Sequence, residues 1–206
     1  MGNQSASLSR VNSGLSEPRH RVIILVGFMG AGKTVVGREL AAMLGWPFED
    51  LDDRIQSREK RTIEEIFRDS GEAEFRRSEH LAFRELLSEA ESGYRVIALG
   101  GGAFAVAENV SLLQDRNIPT VFLDAPIGEL FRRCQQQEIK RPLRQGETQF
   151  RQLYETRRPL YLSATCRVET DGKAVAQIAA EIGRTLGLFH PDNSARFSNR
   201  EIESDI

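Results

Sequence analysis

Residues Gly27 to Thr34 read Gly-Phe-Met-Gly-Ala-Gly-Lys-Thr, a match to the phosphate-binding loop pattern G-x-x-x-x-G-K-[ST]. This octapeptide constrains the fold more than any other stretch, because it works only with a strand before it and a helix after it. Its glycines let successive backbone N–H groups point at phosphate oxygens. The helix behind aims its positive dipole end at the same anion. Both flanks comply. Arg21 to Val26 is a short β-branched run that reads as a buried strand, and Thr34 to Leu44 carries apolar residues at helical spacing. Lys33 is placed to reach terminal phosphates, and the Thr34 hydroxyl can ligate Mg²⁺. Gly30, Ala31, Gly32 and Val35 supply the rest of the nucleotide cradle. A glycine-rich turn before a helix is the plain alternative, and the strand–loop–helix order argues against it.

The chain then alternates. Strands are expected at Val22–Val26, Phe48–Leu51, Arg95–Leu99, Thr120–Leu123 and Cys166–Glu169, with helices between them. Helix is expected at Asp53–Arg58, Ile63–Arg68 and Glu72–Glu89, with a break between the last two. Strands alternating with helices imply an α/β fold with a parallel sheet. Ligands of such sheets bind beyond the carboxyl ends of the strands. The residues found there are Asp50 and Asp52, Gly100 to Gly102, and Asp124.

Asp50 and Asp52 are two apart, which in extended chain puts both carboxylates on one side. Asp53 would then cap the next helix. One carboxylate could hold a hydrated Mg²⁺ and the other could deprotonate an attacking hydroxyl. Read alone, Glu49-Asp-Leu-Asp-Asp53 is equally a cap in a solvated acidic cluster. Asp124 is a rival metal ligand, because it ends an apolar strand. Three glycines after a buried strand allow close backbone approach to a ligand, although a tight turn would use them too. Arg76 sits early in a long helix and Arg157 near the end of another. Arginine reads carboxylates and phosphates with a planar fork, but most arginines are solvated surface charges. The polar segment from Glu138 to Glu147 suits a mobile lid carrying Arg141.

A net charge of −2 and a pI near 6.0 give no general pull toward nucleic acid or membrane. No apolar run approaches the roughly 20 residues of a membrane span. The two cysteines, Cys134 and Cys166, lack motif spacing and are expected as free thiols in a reducing, cytoplasmic compartment. Residues 1–19 and 189–206 are polar and aperiodic and read as disordered tails around a folded unit at 20–188.

Taken together, Gly27 to Thr34, Asp50-Leu-Asp52, Gly71-Glu-Ala-Glu-Phe-Arg76, Gly100-Gly-Gly-Ala103, Arg141-Pro-Leu143 and Arg157-Arg-Pro-Leu-Tyr161 resemble the shikimate kinases. The resemblance spans about residues 20–188. It implies the nucleoside-monophosphate-kinase-like fold, with a five-stranded parallel sheet of order 2-3-1-4-5, flanking helices and a mobile lid. It implies transfer of the ATP γ-phosphoryl group to the 3-hydroxyl of shikimate, a step of aromatic amino acid biosynthesis, with Mg²⁺ as cofactor.

Residue by residue, the resemblance makes Asp52 the base and the binder of the shikimate hydroxyl. Asp50 becomes the carboxylate that holds Mg²⁺ through water, with Thr34, which ranks Asp124 below it. Arg76 and Arg157 become a clamp for the shikimate carboxylate, with Gly100, Gly101 and Gly102 as a backbone platform. Lys33 and Arg141 meet the phosphates, and Arg133 stacks on adenine. Thr170-Asp-Gly-Lys173 departs from the usual adenine loop and leaves Lys173 as the residue there to reach the base. The implied partners are ATP and shikimate, with no nucleic acid or membrane, and the enzyme is expected to act as a monomer.

Two rivals remain at this point. Another small-molecule kinase of this fold, such as a gluconate kinase, would not need Arg76, Arg157 and the three glycines. An inert relative that only binds its ligands would have lost Lys33, Asp52 or Arg141, and all three are present.

Overall fold

A computed structural model describes residues 20–90, 93–136 and 146–189. The tails expected at both ends, and the lid segment with Arg141, lie outside the described residues, apart from Phe189 and Gly146–Glu147. Five parallel strands form one sheet: β1 Val22–Val26, β2 Phe48–Asp50, β3 Arg95–Ala98, β4 Thr120–Asp124 and β5 Cys166–Glu169. Their spatial order is β2-β3-β1-β4-β5, as the resemblance implied. β1 and β4 are buried along their whole length, which is why they read as unbroken apolar runs.

Seven helices flank the sheet among the described residues: α1 Lys33–Leu44, α2 Leu51–Glu59, α3 Ile63–Ala90, α4 Ala107–Asp115, α5 Ile127–Gln136, α6 Gly146–Tyr161 and α7 Val175–Thr185. α1 packs on β3 and α7, and α6 packs on α5 and on a 3-10 turn at Ala103–Ala105. The Phe189 ring covers Gly183 of α7, so packing reaches one residue past the expected boundary at 188.

The break expected between two helices falls at Gly71, where the non-helical backbone divides α3 into two helical halves set at a kink. This residue takes φ 77° and ψ 177° there, which only glycine adopts without strain. The bend matters for the site, because it sets the second half of α3, with Phe75, Arg76 and Glu79, over the carboxyl ends of β2 and β3.

The expectation for the acidic run needs correction. β2 ends at Asp50, and Leu51, fully buried, is already the first residue of α2. Asp50 and not Asp53 is the cap: its Oδ1 accepts the Asp52 N–H at 3.0 Å. Asp50 and Asp52 therefore do not share one side of an extended strand. They reach the same space from the cap and from the first turn of the helix.

Candidate functional site

The phosphate loop joins β1 to α1. Gly32 precedes α1 in the left-handed region, at φ 85° and ψ 18°, which turns the chain so that the first helical N–H groups face outward. Lys33 folds back over the loop and donates to the Gly27 carbonyl at 2.9 Å and the Phe28 carbonyl at 3.2 Å. Burial lowers its pKa, and the neighbouring carboxylates of Asp52 and Asp50 pull it the other way. Thr34 Oγ1 donates to Asp50 Oδ2 at 2.7 Å.

A hollow of about 500 Å³ opens beside this loop. Its wall brings together Gly30, Gly32, Lys33, Thr34, Val35, Asp50, Asp52, Arg76, Gly100, Gly101, Gly102 and Arg157. These residues come from five separate stretches of chain and all sit beyond the carboxyl ends of β1, β2 and β3. Ile63, Phe67, Phe75 and Leu153 add an apolar side, where Phe67 and Phe75 lie 4.5 Å apart between ring centroids. Ala31 is buried and does not line the hollow.

The glycine platform does more than expose backbone. Each of its three positions supports a different polar side chain. A Cβ on Gly100 would strike Asp52 Oδ1. One on Gly101 would lie 3.5 Å from Arg157 Nη1, and one on Gly102 would lie 2.7 Å from Arg76 Nη1. A carboxylate and two guanidiniums are thus stacked directly on the run, so a side chain at Gly100 or Gly102 would force Asp52 or Arg76 to shift.

Arg76 is held by two acids on its own helix, Glu79 at 2.7 Å and Glu72 at 3.3 Å. Glu79 is 1% exposed. Burial raises its pKa, while the Arg76 guanidinium opposes the rise. Sequence reasoning missed Glu79, since an arginine and a glutamate three apart on a helix usually form a surface pair. A signal was available: position 79 falls on the apolar stripe of Phe75, Ala82, Phe83 and Leu86, so its side chain had to point inward. Tyr161 was also missed. It is buried, and its hydroxyl donates to the Gly101 carbonyl.

Three residues singled out in the sequence, Arg133, Lys173 and Asp124, lie away from the hollow. Arg133 is pinned by Glu129 at 2.6 Å and donates to the Thr170 side chain and carbonyl, both at 3.2 Å. This puts it against the loop after β5, where the resemblance locates adenine. Lys173, in the same loop, pairs with Glu181 at 2.6 Å. Asp124 is buried between Arg158 at 2.8 Å and Arg167 at 2.9 Å, in a separate hollow of about 390 Å³. That neighbourhood of guanidiniums suits a structural ion pair and not a metal ligand. A larger space of about 830 Å³ lies at the other end of the sheet, lined by His20, Arg21 and Thr165 among others, and holds none of the motif residues.

Thr34 and Asp50 present two oxygen atoms side by side, the donor type that Mg²⁺ takes. Among the described residues no three His, Cys, Asp or Glu side chains converge. The fit is therefore to an ion that relies on phosphate and water for its other ligands. Cys134 and Cys166 are free thiols, as expected. Among the described residues no helix is long and apolar enough to cross a membrane.

Comparison with known proteins agrees with this geometry. The family model for shikimate kinase matches residues 29–187. A shikimate kinase from Persephonella marina is 37% identical over 162 residues, covering 79% of this chain and 96% of that protein. One from Thermus thermophilus is 41% identical over 176 residues, covering 84% and 94%. The solved structure of shikimate kinase from Acinetobacter baumannii in complex with shikimate superposes with a TM-score of 0.74 at 36% identity, over 82% of this chain and 95% of that one. The chain belongs to the shikimate kinase family.

Proposed function

We propose that the chain transfers the γ-phosphoryl group of ATP to the 3-hydroxyl of shikimate, giving shikimate 3-phosphate and ADP. The observation that carries this is the glycine run with Asp52, Arg157 and Arg76 set on its three members beside a phosphate loop. Such a hollow suits a small polyhydroxylated acid: two guanidiniums for its carboxylate and one carboxylate for the reacting hydroxyl.

In this reading the hydroxyl oxygen attacks the γ-phosphorus, the bond to the β–γ bridging oxygen breaks, and ADP leaves. Asp52 takes the hydroxyl proton as the new P–O bond forms. Lys33 and the loop N–H groups hold the transferring phosphate oxygens, as charge-assisted donors placed in advance of the reaction. Arg76 and Arg157 fix the acceptor through its carboxylate, which holds its hydroxyl in line with the phosphorus. Thr34 and Asp50 would hold Mg²⁺, Asp50 through water. When bound, the ion offsets charge on the phosphates. Arg133 would lie against adenine, and Arg141 would add a further cation from the lid. We further infer a cytoplasmic enzyme acting as a monomer.

A coupled assay of ADP release with shikimate, quinate and gluconate tests the proposal. Turnover with shikimate at least about a hundredfold above the other two is expected. Equal turnover with gluconate would overturn the assignment of the acceptor.

A further inference from the structure

Tyr161 ends α6 one turn beyond Arg157 and is 1% exposed. Its ring is clamped between Phe122 of β4, at 5.3 Å and 30°, and Phe104 of the 3-10 turn, at 6.5 Å and 19°. Its hydroxyl is the one polar tip of this aromatic stack, and it reaches the carbonyl of Gly101, the middle member of the glycine platform. Arg157 Nη1 and the Tyr161 hydroxyl flank that glycine, at 3.5 Å and 3.9 Å from where its Cβ would stand. Burial pushes the phenol up to about 12, with Arg157 opposing, so the group stays a neutral donor at any working pH.

The physical problem this contact meets is clear. Three consecutive glycines have more backbone freedom than any other tripeptide, yet here they must hold one orientation. In a planar trans peptide the carbonyl and the next N–H point in opposite directions. Fixing the Gly101 carbonyl on Tyr161 therefore turns the Gly102 N–H away from Tyr161. Among the described residues that N–H donates to no backbone carbonyl.

We propose that Tyr161 is a positioning residue for the acceptor: its buried hydroxyl locks the central peptide of the platform and keeps the Arg157 guanidinium beside it, so that both meet the acceptor carboxylate together. This rests on the reading that Arg157 and the platform bind that carboxylate.

Tyr161→Phe tests it, since it removes one oxygen and keeps the ring in its stack. The KM for shikimate should rise about tenfold, the order of a lost buried hydrogen bond, while the KM for ATP stays within about twofold. A shikimate analogue without the carboxylate should be used equally well by wild type and variant. Arg157→Lys should cost less in the Tyr161→Phe background than in wild type, because the two residues act as one unit. Ile182→Val serves as the structural control: it loosens the buried core at α7, away from this stack, so it should lower Tm and leave the KM for shikimate within about twofold. An unchanged KM in Tyr161→Phe, or an equal loss with the acid and its carboxylate-free analogue, overturns the proposal. If Arg157→Lys itself leaves the KM for shikimate unchanged, the carboxylate reading beneath it is what fails.

Discussion

The Thr34 hydroxyl is tied to the Asp50 carboxylate across 2.7 Å, so the last residue of the phosphate loop is joined to the cap of the helix that carries Asp52. Asp50 serves both neighbours at once, Oδ2 toward Thr34 and Oδ1 toward the Asp52 N–H. Asp50→Ala should therefore raise the Mg²⁺ needed for half-maximal activity and also cost about 1 kcal/mol of stability as a lost cap. Asp124→Ala should leave the Mg²⁺ requirement alone and lower Tm, because it strips Arg158 of a buried partner. A Mg²⁺ titration in which Asp124→Ala is the more demanding variant would reverse the two roles.

Asp52→Asn keeps the shape of the side chain and removes the proton acceptor. Turnover should fall about 10²-fold or more, the usual scale of a general-base contribution, while ATP binding persists. Near-normal turnover would move the role of base elsewhere.

Gly102→Ala separates space from backbone strain. Gly102 sits at φ −107° and ψ −18°, which alanine adopts freely. The new methyl would lie 2.7 Å from Arg76 Nη1 and 2.8 Å from Nη2, so the guanidinium must move. The KM for shikimate should rise roughly tenfold, as for a weakened charge-assisted contact, with Tm and the KM for ATP nearly unchanged. A wild-type KM would show that Arg76 has no fixed place over the platform.

Glu129 gives a pH-dependent prediction. Hydrogen bonds from Arg132 and then Arg133 hold its carboxyl down at about 2, against an ordinary 4.5. A carboxyl lowered in the folded state contributes stability above pH 4.5 and loses it as pH falls through about 2. In Glu129→Gln the Tm should be lower than wild type near neutrality, and the gap should close as pH falls across that window. Arg132 is exposed and Glu129 and Arg133 are only partly covered, so added salt should narrow the gap as well. A gap that is flat with pH would show that the effect is one of packing.

The sheet and the phosphate loop were legible in the sequence for direct reasons. Buried parallel strands must be apolar throughout, as β1 and β4 are, and an anion cradle built from backbone must be glycine-rich. The order of strands came only from the family resemblance, because nothing local to a strand names its neighbour. The start of α2 was misread because Asp50, Asp52 and Asp53 are all competent caps, and what selects Asp50 is the burial of Leu51, a tertiary fact. Glu79 and Tyr161 were missed for a related reason: each matters through a partner far along the chain or through burial that a motif does not record. The stacking of Asp52, Arg157 and Arg76 on three adjacent glycines was likewise invisible, since those side chains come from α2, α6 and α3.

That stacking limits how this site can evolve. A methyl group at Gly100 displaces Asp52 and one at Gly102 displaces Arg76, so change in the floor of the hollow moves the very groups that stand on it. A lineage that came to phosphorylate a different acid would begin more readily on the apolar side of the hollow, at Ile63, Phe67 or Leu153. None of these three side chains stands on the glycine run, whereas Phe75 carries the Arg76 guanidinium over its ring at 5.1 Å.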